Sequence, residues 1–212
     1  MLTWAFLNAK GGVGKTVLAV HAAVWHAAKG RRVLVIDADA QASSSTWLAE
    51  CATPGVVVAT AADAEQLQRR VAGADADVVV IDGAGGLSTA TRQALVLADV
   101  AVVPCGASVL DLRAARLAVD LVQAARQARG GGKPAARLVL NRVQLHTTLG
   151  QESVQAITQL GETACRTVIR QRTCLADAAG QATTVFSMGA AAADAADDLD
   201  KLFRELARCA GN

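Results

Sequence analysis

Asn8-Ala9-Lys10-Gly11-Gly12-Val13-Gly14-Lys15-Thr16 is the stretch on which the reading of this chain turns. An apolar run, Leu2 to Leu7, precedes it, and an apolar-periodic stretch, Val17 to Ala28, follows it. The order is strand, glycine-rich loop, helix. Such a loop turns several backbone N–H groups toward one point, and the helix adds the positive end of its dipole there. A triphosphate is the natural guest. The amides of Gly11, Gly12, Val13 and Gly14 would cradle it, Lys15 would reach the β- and γ-phosphates, and the Thr16 hydroxyl would bind Mg²⁺. The strict phosphate-loop pattern has glycine where Ala9 stands. What the stretch matches is the variant Lys-Gly-Gly-x-Gly-Lys-Thr, in which an additional lysine, Lys10, opens the loop.

Outward from the loop, apolar strands alternate with helices. Arg32–Asp37 and Asp77–Asp82 are continuous apolar runs, the mark of strands buried on both faces of a parallel sheet. Each closes on an aspartate at the carboxyl end, where open α/β sheets bind ligands. Further strands are predicted at Val56–Thr60, Val100–Pro104, Arg137–Asn141 and Arg166–Ile169. Helices are predicted at Lys15–Lys29, from Ser43–Ser45 as N-caps through Glu50, and at Asp63–Ala72, Ser88–Leu97 and Leu110–Ala128. Others should run through about Leu160, as a turn near Leu175–Ala179, and at Ala190–Ala210. Gly130-Gly131-Gly132-Lys133-Pro134 is a breaker too short to be a domain linker. The alternation predicts an α/β fold: a doubly wound, mostly parallel sheet with helices on both faces. The expected organisation is one domain over residues 1–212, with no helix-turn-helix region before it.

Composition narrows the function. Hydrophobic residues make up 52%, which argues against disorder, and much of that is alanine, so helices should pack closely. Aromatics are 3%, too few for base-stacking platforms. Cys51, Cys105, Cys165, Cys174 and Cys209 are odd in number and never spaced Cys-x-x-Cys. They read as reduced thiols of a cytoplasmic protein, not disulfides or a zinc site. No signal peptide is evident, and no apolar run approaches the ~20 residues of a membrane span. The formal net charge is +2, unevenly spread. Leu121 to Arg172 carries eight Lys/Arg against two acids, a weak pointer to a polyanion-binding surface.

Three elements should converge at one sheet edge: the glycine-rich loop, Asp37/Asp39 and Asp82. A hydrolysing nucleoside triphosphatase needs such a set. Lys15 neutralises phosphate charge. Thr16 holds the metal directly, and Asp37 and Asp82 hold it directly or through water. Asp39 is the candidate to orient the attacking water.

Lys10-Gly-Gly-Val-Gly-Lys-Thr16, Asp37-Ala-Asp-Ala-Gln41 and Val-Val-Ile-Asp82-Gly-Ala-Gly85 together resemble the ParA/MinD family of deviant Walker ATPases. The Val103-Pro104 turn leading to Leu110-Asp111, and the segment Ile169–Arg172, resemble its small ParF-type members. The resemblance covers essentially the whole chain. It implies ATP and ADP as ligands with Mg²⁺, and a homodimer when ATP is bound, with two nucleotides between the subunits. Lys10 would reach the partner's phosphates in trans. Asp39 would be needed for hydrolysis but not for binding, and Asn141 would help recognise adenine. Arg142, Arg170 and Arg172 belong either to a DNA surface or to the nucleotide site or dimer interface. The ATP-bound dimer would bind DNA without sequence preference, through arginines of the basic segment. A ParB-like or cargo-bound protein would stimulate slow hydrolysis and release it. The implied location is cytoplasmic, on the nucleoid when ATP-bound.

There are departures. Val17 replaces the usual second Thr or Ser, costing a contact to the α-phosphate, and Ala40 replaces a proline before Gln41. The terminal helix carries Asp194, Asp197, Asp198 and Asp200, unlike a basic membrane-targeting helix. A MinD-like membrane switch and a synthetase using the same loop are the alternative readings.

Overall fold

The computed structural model describes residues 1–86, 88–159 and 164–209. In chain order the elements are β1 (Leu2–Asn8), α1 (Lys15–Ala27), β2 (Val33–Ala38), α2 (Ser43–Cys51), β3 (Val56–Thr60), α3 (Ala64–Ala72) and β4 (Val78–Gly85). There follow α4 (Thr89–Leu97), β5 (Val100–Cys105), α5 (Val109–Ala128), β6 (Ala135–Val143), α6 (Thr148–Thr158), β7 (Ile169–Arg170) and α7 (Thr173–Gly180). After a 3-10 turn at Gly189–Ala192 comes α8 (Ala193–Cys209). Among the described residues the seven strands form one sheet, ordered β3-β2-β4-β1-β5-β6-β7, with every neighbouring pair parallel. This is the doubly wound α/β fold expected from the alternation.

Strand residues alternate between two cores, as a pleated sheet covered on both faces requires. Trp4 and Phe6 of β1 join Leu18, Ala19 and Ala22 of α1 and Leu199, Leu202 and Phe203 of α8. Ala5 and Leu7 point the other way, toward Leu67 of α3, Leu95 of α4 and Val122 of α5. The fully buried alanines of α1 let the helix lie close against the sheet. His21 then ties α1 to the segment beyond α7. Its Nδ1 lies 2.7 Å from the Val17 carbonyl, and its Nε2 accepts the Val185 N–H at 3.1 Å. Burial drives its pKa down to about 4, so it stays neutral.

The acidic terminal helix is a docking element. Its apolar stripe is fully buried, while some of its carboxylates bond to the rest of the chain. Asp200 accepts the Trp25 indole N–H at 2.7 Å, and Glu205 accepts the Arg166 and Thr167 N–H groups at 2.7 and 3.1 Å. Among the described residues no helix is long and apolar enough to cross a membrane.

Two local expectations change. Ser43–Ser45 do not cap α2; its N-cap is Ala42, at φ 50°, without a side-chain bond. The Asp37 carboxylate does that work, accepting the Ser45 N–H at 2.9 Å. The last strand is Ile169–Arg170, not Arg166–Ile169, because its pairing begins where Asn141 meets Ile169. The helix ends placed at Leu160 and Ala210 lie outside the described residues. The basic segment also divides in space. Arg129 bonds the Ala98 carbonyl and Lys133 pairs with Asp99 at 2.7 Å, both at the amino end of β5. Arg142, Arg170 and Arg172 sit at the opposite edge.

Candidate functional site

The glycine-rich loop leaves the central strand and is braced from three sides. Asn8 donates its amide to the Pro104 carbonyl at 2.6 Å and accepts the Lys10 N–H at 2.9 Å. Asn141, at the end of β6, donates to the Val13 carbonyl at 2.8 Å. Its amide lies so close to Gly14 that any Cβ there would collide with it, and Gly14 also holds φ +95°. Arg142, itself at φ 59°, donates to the Gly12 carbonyl at 2.8 Å. Nothing lies within 4 Å of where a Cβ would stand on Gly11 or Gly12, so that side of the loop is open. Clearance at those two glycines, with carbonyls tied back from outside, is the arrangement an anion cradle requires.

Lys15 is 7% exposed, with its ammonium 3.3 Å from the Lys10 carbonyl. Burial pulls its pKa down, against the charges of Asp82 and Asp39, which raise it. Asp37 and Asp82 are register neighbours on β2 and β4. Their states differ. The Asp37 oxygens accept the Asp39 N–H at 3.1 Å and the Ser45 N–H at 2.9 Å, so this carboxylate organises the loop that carries Asp39. Asp82 is 1% exposed, and neither of its oxygens has a hydrogen bond of good geometry. Burial raises its pKa to about 7, with the Thr16 and Ser44 hydroxyls near enough to draw it partly back. A buried carboxylate with two idle oxygens beside a threonine hydroxyl suits a divalent cation, which would hold Asp82 ionised. Thr16 and Asp82 would be its holders, and Asp37 a supporting group. Ser44 went unrecognised as a site residue. Its hydroxyl is buried without a partner, near the Asp82 carboxylate.

The loop floors a cavity of about 840 Å³, lined among others by Lys15, Thr16, Val17, Asp39, Asn141 and Arg172. A second cavity of about 410 Å³ adjoins it through Gly11, Gly12, Asn141 and Arg142, and is lined by Lys10, Gly106 and Asp111. The larger has the size of a nucleotide site. Gln144, Gln171 and Leu175 also line it and were not singled out from sequence. Arg172 turns both terminal nitrogens to α8, at 3.2 Å from Asp194 and 3.4 Å from Asp198, and its Nε is buried without a partner. Lys10 stands at the rim with its ammonium 2.7 Å from Asp111, on its own chain.

Residues 4–185 match the model of the CobQ/CobB/MinD/ParA nucleotide binding domain. The chain belongs to this family. Among its relatives, a maintenance of carboxysome distribution protein A from Halothiobacillus neapolitanus is 29% identical over 96% of this chain and 95% of its own. The chromosome-partitioning ATPase Soj of Thermus thermophilus is 29% identical over 85% of this chain and 86% of its own. Among solved structures, an ATP complex of McdA from Cyanothece superposes with a TM-score of 0.81 at 15% identity, over 98% of this chain and 96% of that one. MinD of Aquifex aeolicus superposes at 0.77 with 18% identity, over 96% and 97%. The family is one of nucleotide-binding domains, and the braced loop lies within the matched residues. Within it Val17 lines the cavity where a hydroxyl is usual. Val17→Thr is expected to tighten nucleotide binding about fivefold, the worth of one net hydrogen bond. An unchanged dissociation constant in a fluorescent-nucleotide titration would mean that residue 17 does not face the phosphates.

Proposed function

We propose that this protein is an ATP-dependent positioning ATPase that cycles between a free subunit and an ATP-bound dimer. The dimer binds DNA without sequence preference, and a cargo-bound adaptor releases it by stimulating hydrolysis. The observation that carries the reading is the division of labour between two lysines on one loop. Lys15 is buried under the cradle, placed for the phosphates of its own site, while Lys10 stands half-exposed at the rim. A second lysine is superfluous to simple nucleotide binding, and a rim position suits service to a neighbouring subunit.

In this reading the amides of Gly11–Gly14 and Lys15 hold the phosphates, and Thr16 and Asp82 hold Mg²⁺. The ion, when bound, neutralises charge on the phosphate oxygens. Asp39 orients the attacking water, and Lys10 supplies positive charge across the interface. Asn141 keeps the loop in shape from within the cavity, and its carbonyl oxygen is the candidate contact to adenine. The end-to-end match to a carboxysome-distribution protein favours cargo positioning through an adaptor over plasmid partition. A membrane switch is disfavoured because α8 spends its apolar face on the core.

The deciding experiment is binding of random duplex DNA by the purified protein with ATP, with ADP and without nucleotide, at 50 and 200 mM salt. Binding is expected with ATP alone, weakened roughly 10- to 100-fold by the salt step as phosphate contacts release counterions. No binding in any state would overturn the DNA arm and direct the search to lipid vesicles and small-molecule substrates.

A further inference from the structure

We propose that Ser44 is a positioning residue for the divalent cation. Its hydroxyl bonds to water on the ion, and the ion thereby fastens the first turn of α2 and the turn that carries Asp39. The proposal rests on the reading of Thr16 and Asp82 as the cation's holders and extends it to a second element of the fold.

Four buried polar atoms on β4 and at the start of α2 have no hydrogen-bond partner among the described residues: both oxygens of Asp82 and the hydroxyls of Ser44 and Ser45. Ser44 is fully buried, and its hydroxyl and that of Thr16 stand near the Asp82 carboxylate. A buried hydroxyl that bonds to nothing carries its whole desolvation penalty, so packing gives no reason for it. A bound ion does. Mg²⁺ dehydrates reluctantly, so a site for it must offer acceptors to its waters as well as direct ligands. The idle Asp82 oxygens and the Ser44 hydroxyl are acceptors of that kind.

The helix that carries Ser44 begins weakly. Its N-cap, Ala42, sits at φ 50°, a left-handed conformation that is costly for a residue with a Cβ, and makes no side-chain cap bond. The Asp37 carboxylate holds the first turn from outside, through the Ser45 N–H at 2.9 Å. The Ala42 N–H donates to the Asp39 carbonyl at 2.9 Å, so the turn bearing Asp39 is bonded to the residue that precedes α2. Asp82, by contrast, stands on β4, which is paired on both sides, with β1 and with β2. A bond from Ser44 to the ion's hydration shell ties the weakly held element to the firmly held one. It sets Asp39 by the same contact.

Binding of a fluorescent ADP analogue over a Mg²⁺ series tests this without turnover, on the wild type, Ser44→Ala and Ser44→Cys. In the wild type Mg²⁺ is expected to tighten ADP binding. Ser44→Ala should leave the affinity in EDTA unchanged and raise the half-saturating Mg²⁺ concentration about tenfold, the usual scale for losing an outer-shell partner of a metal. Ser44→Cys keeps nearly the same volume but offers only a weak hydrogen-bonding group, and should behave alike. Hydrogen exchange over residues 38–50 should show protection gained with Mg²⁺ and ADP in the wild type and largely lost in Ser44→Ala. Melting in EDTA separates a structural role: because the hydroxyl bonds to nothing in the described chain, Ser44→Ala should melt no lower than the wild type. A lower melting temperature there, or an unchanged half-saturating Mg²⁺ concentration, would overturn the assignment of Ser44. Equal exchange protection in the two proteins would overturn its link to α2. A wild type whose ADP affinity is indifferent to Mg²⁺ would overturn instead the reading of Thr16 and Asp82 as the cation's holders.

Discussion

Lys10→Ala is expected to lower ATP turnover about 1,000-fold and to abolish nucleotide-dependent dimerisation, with little change in subunit stability. A cation supplied across an interface to a phosphoryl-transfer site is worth about 10³–10⁵ in rate, because it meets charge that develops only in the transition state. Lys15 does not replace it. That ammonium lies under the loop of its own chain, 3.3 Å from the Lys10 carbonyl. The fold should survive because the Lys10 side chain makes one ion pair, 40% exposed at the lysine end, worth at most ~1 kcal/mol after solvent screening. Asp111 keeps its two bonds from Ser108. Turnover with an inorganic-phosphate assay, dimerisation by light scattering and thermal melting by circular dichroism together separate the effects. Unchanged turnover would remove Lys10 from the chemistry. A large loss of melting temperature would make it a structural residue.

The frame of the fold was legible because its central strands are buried on both faces. Leu2–Leu7, Arg32–Asp37, Asp77–Asp82 and Val100–Pro104 read as apolar runs, and each is a strand within two or three residues of its observed ends. Asp63 was legible as a cap because its partner, the Gln66 N–H, is three residues away. What failed depends on contacts between distant residues. The serines that open α2 have the local chemistry of caps, but a carboxylate eight residues before Ser45 takes its N–H instead. The last strand is two residues long, too short for any periodicity, and its position is set by β6.

The site divides in the same way. The loop, Asp37, Asp39 and Asp82 were found from spacing and strand ends. The anchorage of Lys10 on Asp111 spans 101 positions and has no local signature. The basic segment misleads as a linear feature, because consecutive strands and helices carry its charges to opposite edges of the sheet. Arg170 and Arg172 are drawn to Asp198 of α8. Any surface built from these arginines is therefore assembled in space rather than read as a block of sequence. The aspartates of α8 look like a solvated face, yet Asp198 pairs with Arg170 and Arg172 and Asp200 accepts the Trp25 indole N–H.

Asp39→Ala is expected to cut turnover about 10²- to 10⁴-fold, the usual range for losing a positioned general base or water-orienting group. ATP binding should remain, so the ATP-bound dimer should accumulate. The geometry explains the split. Asp39 lines the nucleotide cavity, yet its hold on the protein is slight: one oxygen accepts the Gln41 N–H at 3.0 Å. The loop around it is fixed by Asp37, whose two oxygens accept the Asp39 and Ser45 N–H groups and do not depend on the Asp39 side chain. Removing a carboxylate from a site for a polyanion also relieves repulsion, which offsets the lost hydrogen bond of about 1 kcal/mol. Size-exclusion chromatography with light scattering after ATP addition reads the outcome directly. The variant should stay dimeric for hours under conditions in which the wild type returns to monomer as ATP is spent. A variant that remains monomeric with saturating ATP would mean that Asp39 serves assembly. A variant that hydrolyses at the wild-type rate would leave the attacking water to another group, with the buried, unpartnered Ser44 hydroxyl beside Asp82 the first to test.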